Sequence, residues 1–133
     1  MKNLNKHIIV CDDCDVTSLL LKIILETNGY KVTTVFSGKE VLAEIDSQVF
    51  DLLLLDITMP GMDGYEVAHH IQQNRNLNSL PILLLSGHEE KTIREKCQAK
   101  VAGIIPKPVE MNILLEAVKK ALPSNNYQQI SLV

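Results

Sequence analysis

Five short apolar runs, each followed by a longer segment of helical period, leave this chain few architectures to choose from. The runs lie at 7–11, 31–35, 51–55, 81–85 and 103–105. Most are continuously apolar rather than alternating, as expected of parallel strands covered on both faces. The run at 31–35 (Lys-Val-Thr-Thr-Val) is more polar and suits a sheet edge. In the first helical segment, 16–27, Val16, Leu19, Leu20 and Ile23 share one apolar face at i, i+3, i+4, i+7 spacing. Ser18, Lys22 and Glu26 make a thin polar stripe on that helix, and Gly29 is a plausible stop. Leu21 and Leu25 are an apolar excess, either core or a docking surface for a partner. The second helix opens on Ser37-x-x-Glu40, a capping-box pattern, and buries Val41, Leu42 and Ile45. The third and fourth are expected at 63–74 and 89–100. The fifth, 110–122, carries Met111, Leu114, Leu115, Val118 and Leu122 on one face before Pro123 ends it.

The pattern is (βα)₅, which right-handed crossovers wind into an α/β domain with helices on both faces of a five-stranded parallel sheet. At 133 residues the chain has room for one domain, expected at 1–122 with its core at about 6–122, and a polar tail at 123–133. With 46% hydrophobic residues it can bury an independent core. A net charge of −3 argues against a nucleic-acid binder. No apolar stretch approaches the roughly 20 residues of a membrane span, and the first residues lack the apolar region of a signal peptide. Cys11, Cys14 and Cys97 are an odd number and read as free thiols, which points to a reducing, cytoplasmic setting.

Polar residues at the ends of apolar strands carry the chemistry. Asp12 and Asp13 follow the first strand, Asp56 the third and Ser86 the fourth, while the fifth runs into Lys107-Pro108. Ligands on such sheets sit beyond the carboxyl ends of the strands, so these residues are expected to converge in one cleft. Three clustered carboxylates repel one another unless a cation relieves them, which favours a hard divalent ion such as Mg²⁺. A lysine and a hydroxyl opposite the metal make a cradle for a phosphoryl group, with Asp56 as nucleophile.

This constellation resembles the receiver domain of two-component response regulators. The likeness covers about residues 6–122. It rests on the acidic pair, on the Asp56-Ile57-Thr58-Met59-Pro60-Gly61-Met62-Asp63-Gly64 loop, on Ser86 and on Lys107-Pro108. The resemblance implies the flavodoxin-like strand order 2-1-3-4-5 and phosphorylation of Asp56 by a phosphohistidine of a sensor kinase or a histidine phosphotransfer protein. It also implies Mg²⁺ held by Asp13, Asp56 and the main-chain carbonyl of Thr58, with Asp12 acting mainly through water. Ser86 and Lys107 would bind the phosphoryl group, and the bond before Pro108 would be cis. With no room for an output domain, the chain reads as a stand-alone receiver: not a conventional enzyme, but a domain that signals to a downstream protein through contacts.

Two positions depart from the family's pattern. Ile104 stands where an aromatic switch residue is usual, which predicts a response confined to the loops after the third and fourth strands. Lys100-Val101 replaces the usual Gly-Ala, so the end of the fourth helix is expected to be irregular. Other interpretations of single residues remain. Asp13 or Asp15 would serve as a helix cap. Cys11-Asp12-Asp13-Cys14 is formally C-x-x-C, but no second cysteine pair completes a zinc site. His69 and His70 belong on a solvated face, and His88 in an exposed loop beside the cleft. A haloacid-dehalogenase-type phosphatase needs an acid where Thr58 stands. A degenerate receiver, binding partners without phosphorylation, is the remaining alternative.

Overall fold

The computed structural model describes residues 6–122. Five parallel strands alternate with five helices: β1 (His7–Cys11), α1 (Asp15–Thr27), β2 (Lys31–Val35), α2 (Gly38–Ser47), β3 (Leu52–Asp56), α3 (Gly64–Gln73), β4 (Ile82–Ser86), α4 (Glu90–Lys96), β5 (Gly103–Pro106) and α5 (Met111–Ala121). The sheet order is β2-β1-β3-β4-β5, the flavodoxin-like order that the resemblance implied. The more polar β2 is an edge strand, as its composition suggested.

Period-two alternation divides the apolar strands between two cores. Ile8, Val10, Leu52, Leu54, Leu83, Leu85 and Ile105 pack under α1 and α5 with Leu21, Leu25, Leu114 and Val118. Ile9, Cys11, Leu53, Leu55, Ile82 and Leu84 pack under α2, α3 and α4 with Val41, Ile45, Val67, Ile71 and Ile93. Every residue of β1, β3 and β4 is buried, so a one-residue slip of any of them would still place apolar groups in a core. Register is therefore held by the polar ends. At the amino edge, the Asp51 carboxylate accepts from the His7 backbone N–H at 2.8 Å.

Several boundaries differ from the sequence expectation. β3 and β4 start and end one residue later than the apolar runs suggested, because Asp51 is used as that side-chain acceptor and Pro81 contributes only its carbonyl, to Leu53. α4 stops at Lys96 rather than residue 100. Helix α2 is capped by Ser37 as expected, with Glu40 reaching back to the Phe36 N–H at 2.8 Å. Neither Asp13 nor Asp15 caps α1: its cap position is Cys14, and Asp12 Oδ1 accepts from the Cys14 N–H at 2.9 Å.

Helix α1 reverses the expectation about its faces. Its buried residues are Ser18, Leu21 and Leu25, whereas Val16, Leu19, Leu20 and Ile23 are exposed at 76%, 58%, 47% and 53%. Both stripes have helical spacing, and Ser18 selects between them: its hydroxyl donates to the Asp12 carbonyl at 3.1 Å, turning its side of the helix inward. Helix α5 is corrected in part. Leu114 and Val118 are buried, but Met111 at the helix start is exposed.

His7 is buried at the start of β1, its ring against Phe50 at 4.4 Å and its Nε2 2.7 Å from Thr33 Oγ1. Burial, and then the nearby Lys31 charge, hold its pKa below 6.5, against the pull of Asp51 and Glu44. The unfolded chain therefore takes up the proton first as pH falls. Stability contributed by neutral His7 is full above its unfolded value and is lost as pH drops through the window below it. Urea unfolding between pH 8 and pH 5 should show a midpoint that falls on acidification, and His7→Gln should flatten that fall. An equal slope in the variant would remove His7 as its cause.

Candidate functional site

Strand pairing builds the site. β1 and β3 are neighbours, with Cys11 opposite Leu55, so Asp12 and Asp56 continue two adjacent strands at the point where the strand order reverses. On the other side Asp56 pairs with Leu85 of β4, and the Ile57 N–H donates to the Leu85 carbonyl at 3.1 Å. Ser86 is thus one step beyond Asp56's partner. It pairs with Pro106 of β5, and the Lys107 N–H donates to the Ser86 carbonyl at 2.8 Å. The Lys107–Pro108 peptide is cis.

The ammonium of Lys107 lies between two buried carboxylates, 3.0 Å from Asp12 Oδ2 and 3.1 Å from Asp56 Oδ1. Asp13 is exposed at the rim, and one oxygen from each of Asp12, Asp13 and Asp56 lies within 4.8 Å of the others. Burial raises the pKa of Asp56 above the usual carboxylate value; Lys107 opposes this with a hydrogen bond, and Asp12 adds to it. Burial also pulls Lys107 down, but its contacts with Asp12 and Asp56 outweigh that and its pKa is raised. Three carboxylates against one ammonium leave two formal negative charges uncompensated. Asp12 Oδ2 is fully buried and has Lys107 nearby without an aligned hydrogen bond. An all-oxygen donor set with this charge suits a hard divalent cation.

The Ser86 hydroxyl oxygen accepts from the His88 N–H at 2.9 Å, leaving its own proton free to donate. His88 is exposed, as expected of the loop, and its Nε2 is 3.5 Å from Thr58 Oγ1, the outer limit of a hydrogen bond. Thr58 is exposed, and its backbone helps hold the Asp56 carboxylate. Ile104 is half-buried against the α4-side core, away from the carboxylates. His69 and His70 are exposed on α3. The C-x-x-C pattern is split: Cys11 points into the core, its thiol pushed up to about 12 by burial and then by Asp12, while Cys14 faces solvent.

Three features escaped the sequence. The buried Cys11 thiol meets Met59 sulfur at 3.5 Å, packing the loop after β3 against β1. Asp63 and Glu66 form a complete capping box at the start of α3, a pattern of the same kind as Ser37-x-x-Glu40 and legible in the same way. Gly64 brings α3 so close to the end of β3 that a Cβ there would lie 2.5 Å from the Asp56 carbonyl oxygen and 2.7 Å from Ile57 Cα.

The profile of the response regulator receiver domain matches residues 8–119. The chain belongs to that family. Its relatives include the hybrid signal transduction histidine kinase L of Dictyostelium discoideum, 31% identical over 91% of this chain and 8% of the relative. The positive alginate biosynthesis regulatory protein of Pseudomonas aeruginosa is 33% identical over 94% of this chain and 50% of the relative. This chain therefore spans at most half the length of these relatives. Among solved structures, the response regulator TrrA of Thermotoga maritima, in complex with Mg²⁺ and BeF, superposes with a TM-score of 0.79 at 33% identity, over 88% of this chain and 99% of that one. Phosphorylation on aspartate is characteristic of the family, whose receiver domains take phosphoryl groups from histidine kinases and are signalling domains rather than conventional enzymes. Among the described residues, no helix is long and apolar enough to cross a membrane.

Gly64 gives the site a structural test. Gly64→Ala should cost about 1–3 kcal/mol of stability, because the opposing atoms are backbone and cannot rotate aside. The same variant should displace the Asp56 end of β3. Unchanged urea unfolding would show that α3 withdraws freely from β3.

Proposed function

We propose that this receiver takes a phosphoryl group onto Asp56 from a phosphohistidine of a sensor kinase or histidine phosphotransfer protein, with Mg²⁺ bound, and signals through protein contacts. The observation that carries the proposal is Lys107 held between Asp12 and Asp56 beside an uncompensated acidic cluster. Asp12, Asp13, Asp56 and the main-chain carbonyl of Thr58 are the groups that would hold the cation, which supplies positive charge for an anionic donor to approach. Asp56, with its pKa raised by burial, is a carboxylate poorly solvated on its strand and open to attack phosphorus in line. As the bond from an Asp56 oxygen to phosphorus forms, the P–N bond to the donor histidine breaks, its imidazole leaves with the electron pair and takes a proton from solvent, and Lys107 transfers its contact from the Asp56 oxygen to a phosphoryl oxygen. Ser86 donates its free hydroxyl proton to another.

The likeness to TrrA, solved with Mg²⁺ and BeF, supports the cation. Incubation with Mg²⁺ and acetyl phosphate should add one phosphoryl group by intact mass. EDTA should abolish the gain, and Asp56→Asn should show none. Lys107→Ala should still gain mass but lose any partner response. A wild-type protein that gains nothing would instead be an interaction module independent of phosphorylation.

The exposed stripe of α1 gives the donor a place to sit. Val16, Leu19, Leu20 and Ile23 begin four residues after Asp12, so a helix laid on them lies beside the carboxyl edge of the sheet. Each leucine buried in such a contact is worth about 1.5–3 kcal/mol. Leu20→Glu should slow transfer from an autophosphorylated donor kinase by at least about tenfold. Loading by acetyl phosphate should be unchanged. If both routes slowed equally, the damage would lie in the site and not in docking.

A further inference from the structure

Helix α4 is the least anchored of the five described helices. It has seven residues and buries only Ile93. Beyond it, residues 97–102 run irregularly into β5, beside a cavity of about 120 Å³ lined by Ile93, Cys97, Val101 and Ile104 among others. Ala99 is buried and Cys97 and Val101 pack at the edge of the core, but these apolar contacts do not hydrogen-bond the Lys100 backbone. A side chain of α3 does. The carboxamide of Gln72 accepts from the Lys100 N–H at 2.6 Å and donates to the Lys100 carbonyl at 3.2 Å. This two-bond clamp joins residues 28 apart and reproduces, with one side chain, the pairing that a neighbouring strand would give. Two residues on, the Ala102 N–H donates to the Ile82 carbonyl at 2.7 Å, and β5 begins.

We propose that Gln72 is a positioning residue that fixes the α4–β5 junction, so that a rearrangement of the loop after Ser86 ends at α4 and does not reach β5. The proposal rests on phosphorylation at Asp56 for its trigger, but the clamp itself exists without it. The loop joining Ser86 to α4 is short and exposed, and responds directly when Ser86 turns to a phosphoryl oxygen. Ile104, paired with Leu84 of β4 and half-buried on the α4-side core, moves only with β5, and the clamp holds the chain that enters β5. Only an interaction that differs between two states shifts a population, and the Gln72 bonds form only while Lys100 stays in place, so they disfavour any state in which the junction moves. The responding surface is therefore the carboxyl edge of the sheet and the start of α4.

Amide hydrogen exchange and amide NMR on the full chain with Mg²⁺, with and without beryllofluoride, test this. In the wild type, beryllofluoride should shift the amides of 57–62 and 86–92 and leave those of 100–105 in place. Gln72→Ala should speed exchange at Lys100 by roughly tenfold, equivalent to about 1.4 kcal/mol, on the scale of one net hydrogen bond. It should also let beryllofluoride shift 100–105. Gln72→Met keeps the side-chain length and loses both bonds, so it should behave as the alanine variant does, and it replaces that variant should it fail to fold. Shifts through 100–105 in the wild type, or Lys100 exchange unchanged in both variants, overturn the proposal. If beryllofluoride moves nothing anywhere, phosphorylation at Asp56 is what fails, and Lys100 exchange in the free protein still decides the clamp.

Discussion

Two carboxylates are buried on neighbouring strands of this protein, and a single ammonium separates them. At about 3 Å and an effective dielectric near 20, each contact of Lys107 with Asp12 or Asp56 is worth roughly 5 kcal/mol before desolvation is subtracted. Desolvation removes much of that, so the arrangement contributes little net stability. What it contributes is position. Taking away one partner of such a buried set typically costs about 3–5 kcal/mol, because the remaining charges lose their compensation. The ends of β1, β3 and β5 must therefore keep their relative places for Lys107 to reach both oxygens.

Topology makes that placement possible. In the order β2-β1-β3-β4-β5 the chain leaves β1 in one direction to form β2 and returns in the other to form β3. The loops after β1 and β3 diverge to opposite faces, opening a crevice at the carboxyl edge. Asp12 and Asp56 stand on either side of it. Alternation along the strands supplies the rest: Val10, Leu54 and Ile105 face the α1–α5 core, and Asp12, Asp56 and Lys107 follow each of them at a spacing of two. The same period that builds the apolar layer aims all three charged groups to one side.

This explains which parts of the protein could be read from its residues. Continuous apolar runs of strand length, alternating with helical segments, point to buried parallel strands, and a polar residue closing such a run stands out against them. Asp12, Asp56, Ser86 and Lys107 were legible for that reason. Helix α1 was not, because two of its faces are apolar and the choice between them falls to the Ser18 hydroxyl, which looks like an ordinary surface serine in sequence. Gly64 and Gln72 were illegible for a different reason. Their importance lies in what approaches them, a backbone 2.5 Å from an absent Cβ and a carboxamide spanning 28 residues, and neither leaves a periodic trace. The Asp63 and Glu66 box did leave one. It was the single missed feature that local pattern alone contained.

Charge balance also indicates why the cleft needs both a lysine and an acidic cluster. With three carboxylates ionised and Lys107 charged, a divalent cation brings the formal charge of the cleft to zero. In the proposed chemistry Asp56 exchanges a carboxylate of one negative charge for a phosphoryl group carrying about two at neutral pH, as such groups do when fully ionised. The cleft then gains one further negative charge, spread over oxygens that lie farther out than the carboxylate did. Lys107 is only partly buried, exposed at 27% of its side chain, and sits at the end of an aliphatic stem that follows such a displacement without moving β5. The Ser86 oxygen accepts from the His88 N–H, so in the proposed chemistry a shift of that hydroxyl toward the phosphoryl group would pull on its own loop through this bond. Rigid strands, a flexible lysine and one rotatable hydroxyl thus divide the work: the strands hold the charges together, and the small movements fall on the loop that leads to α4.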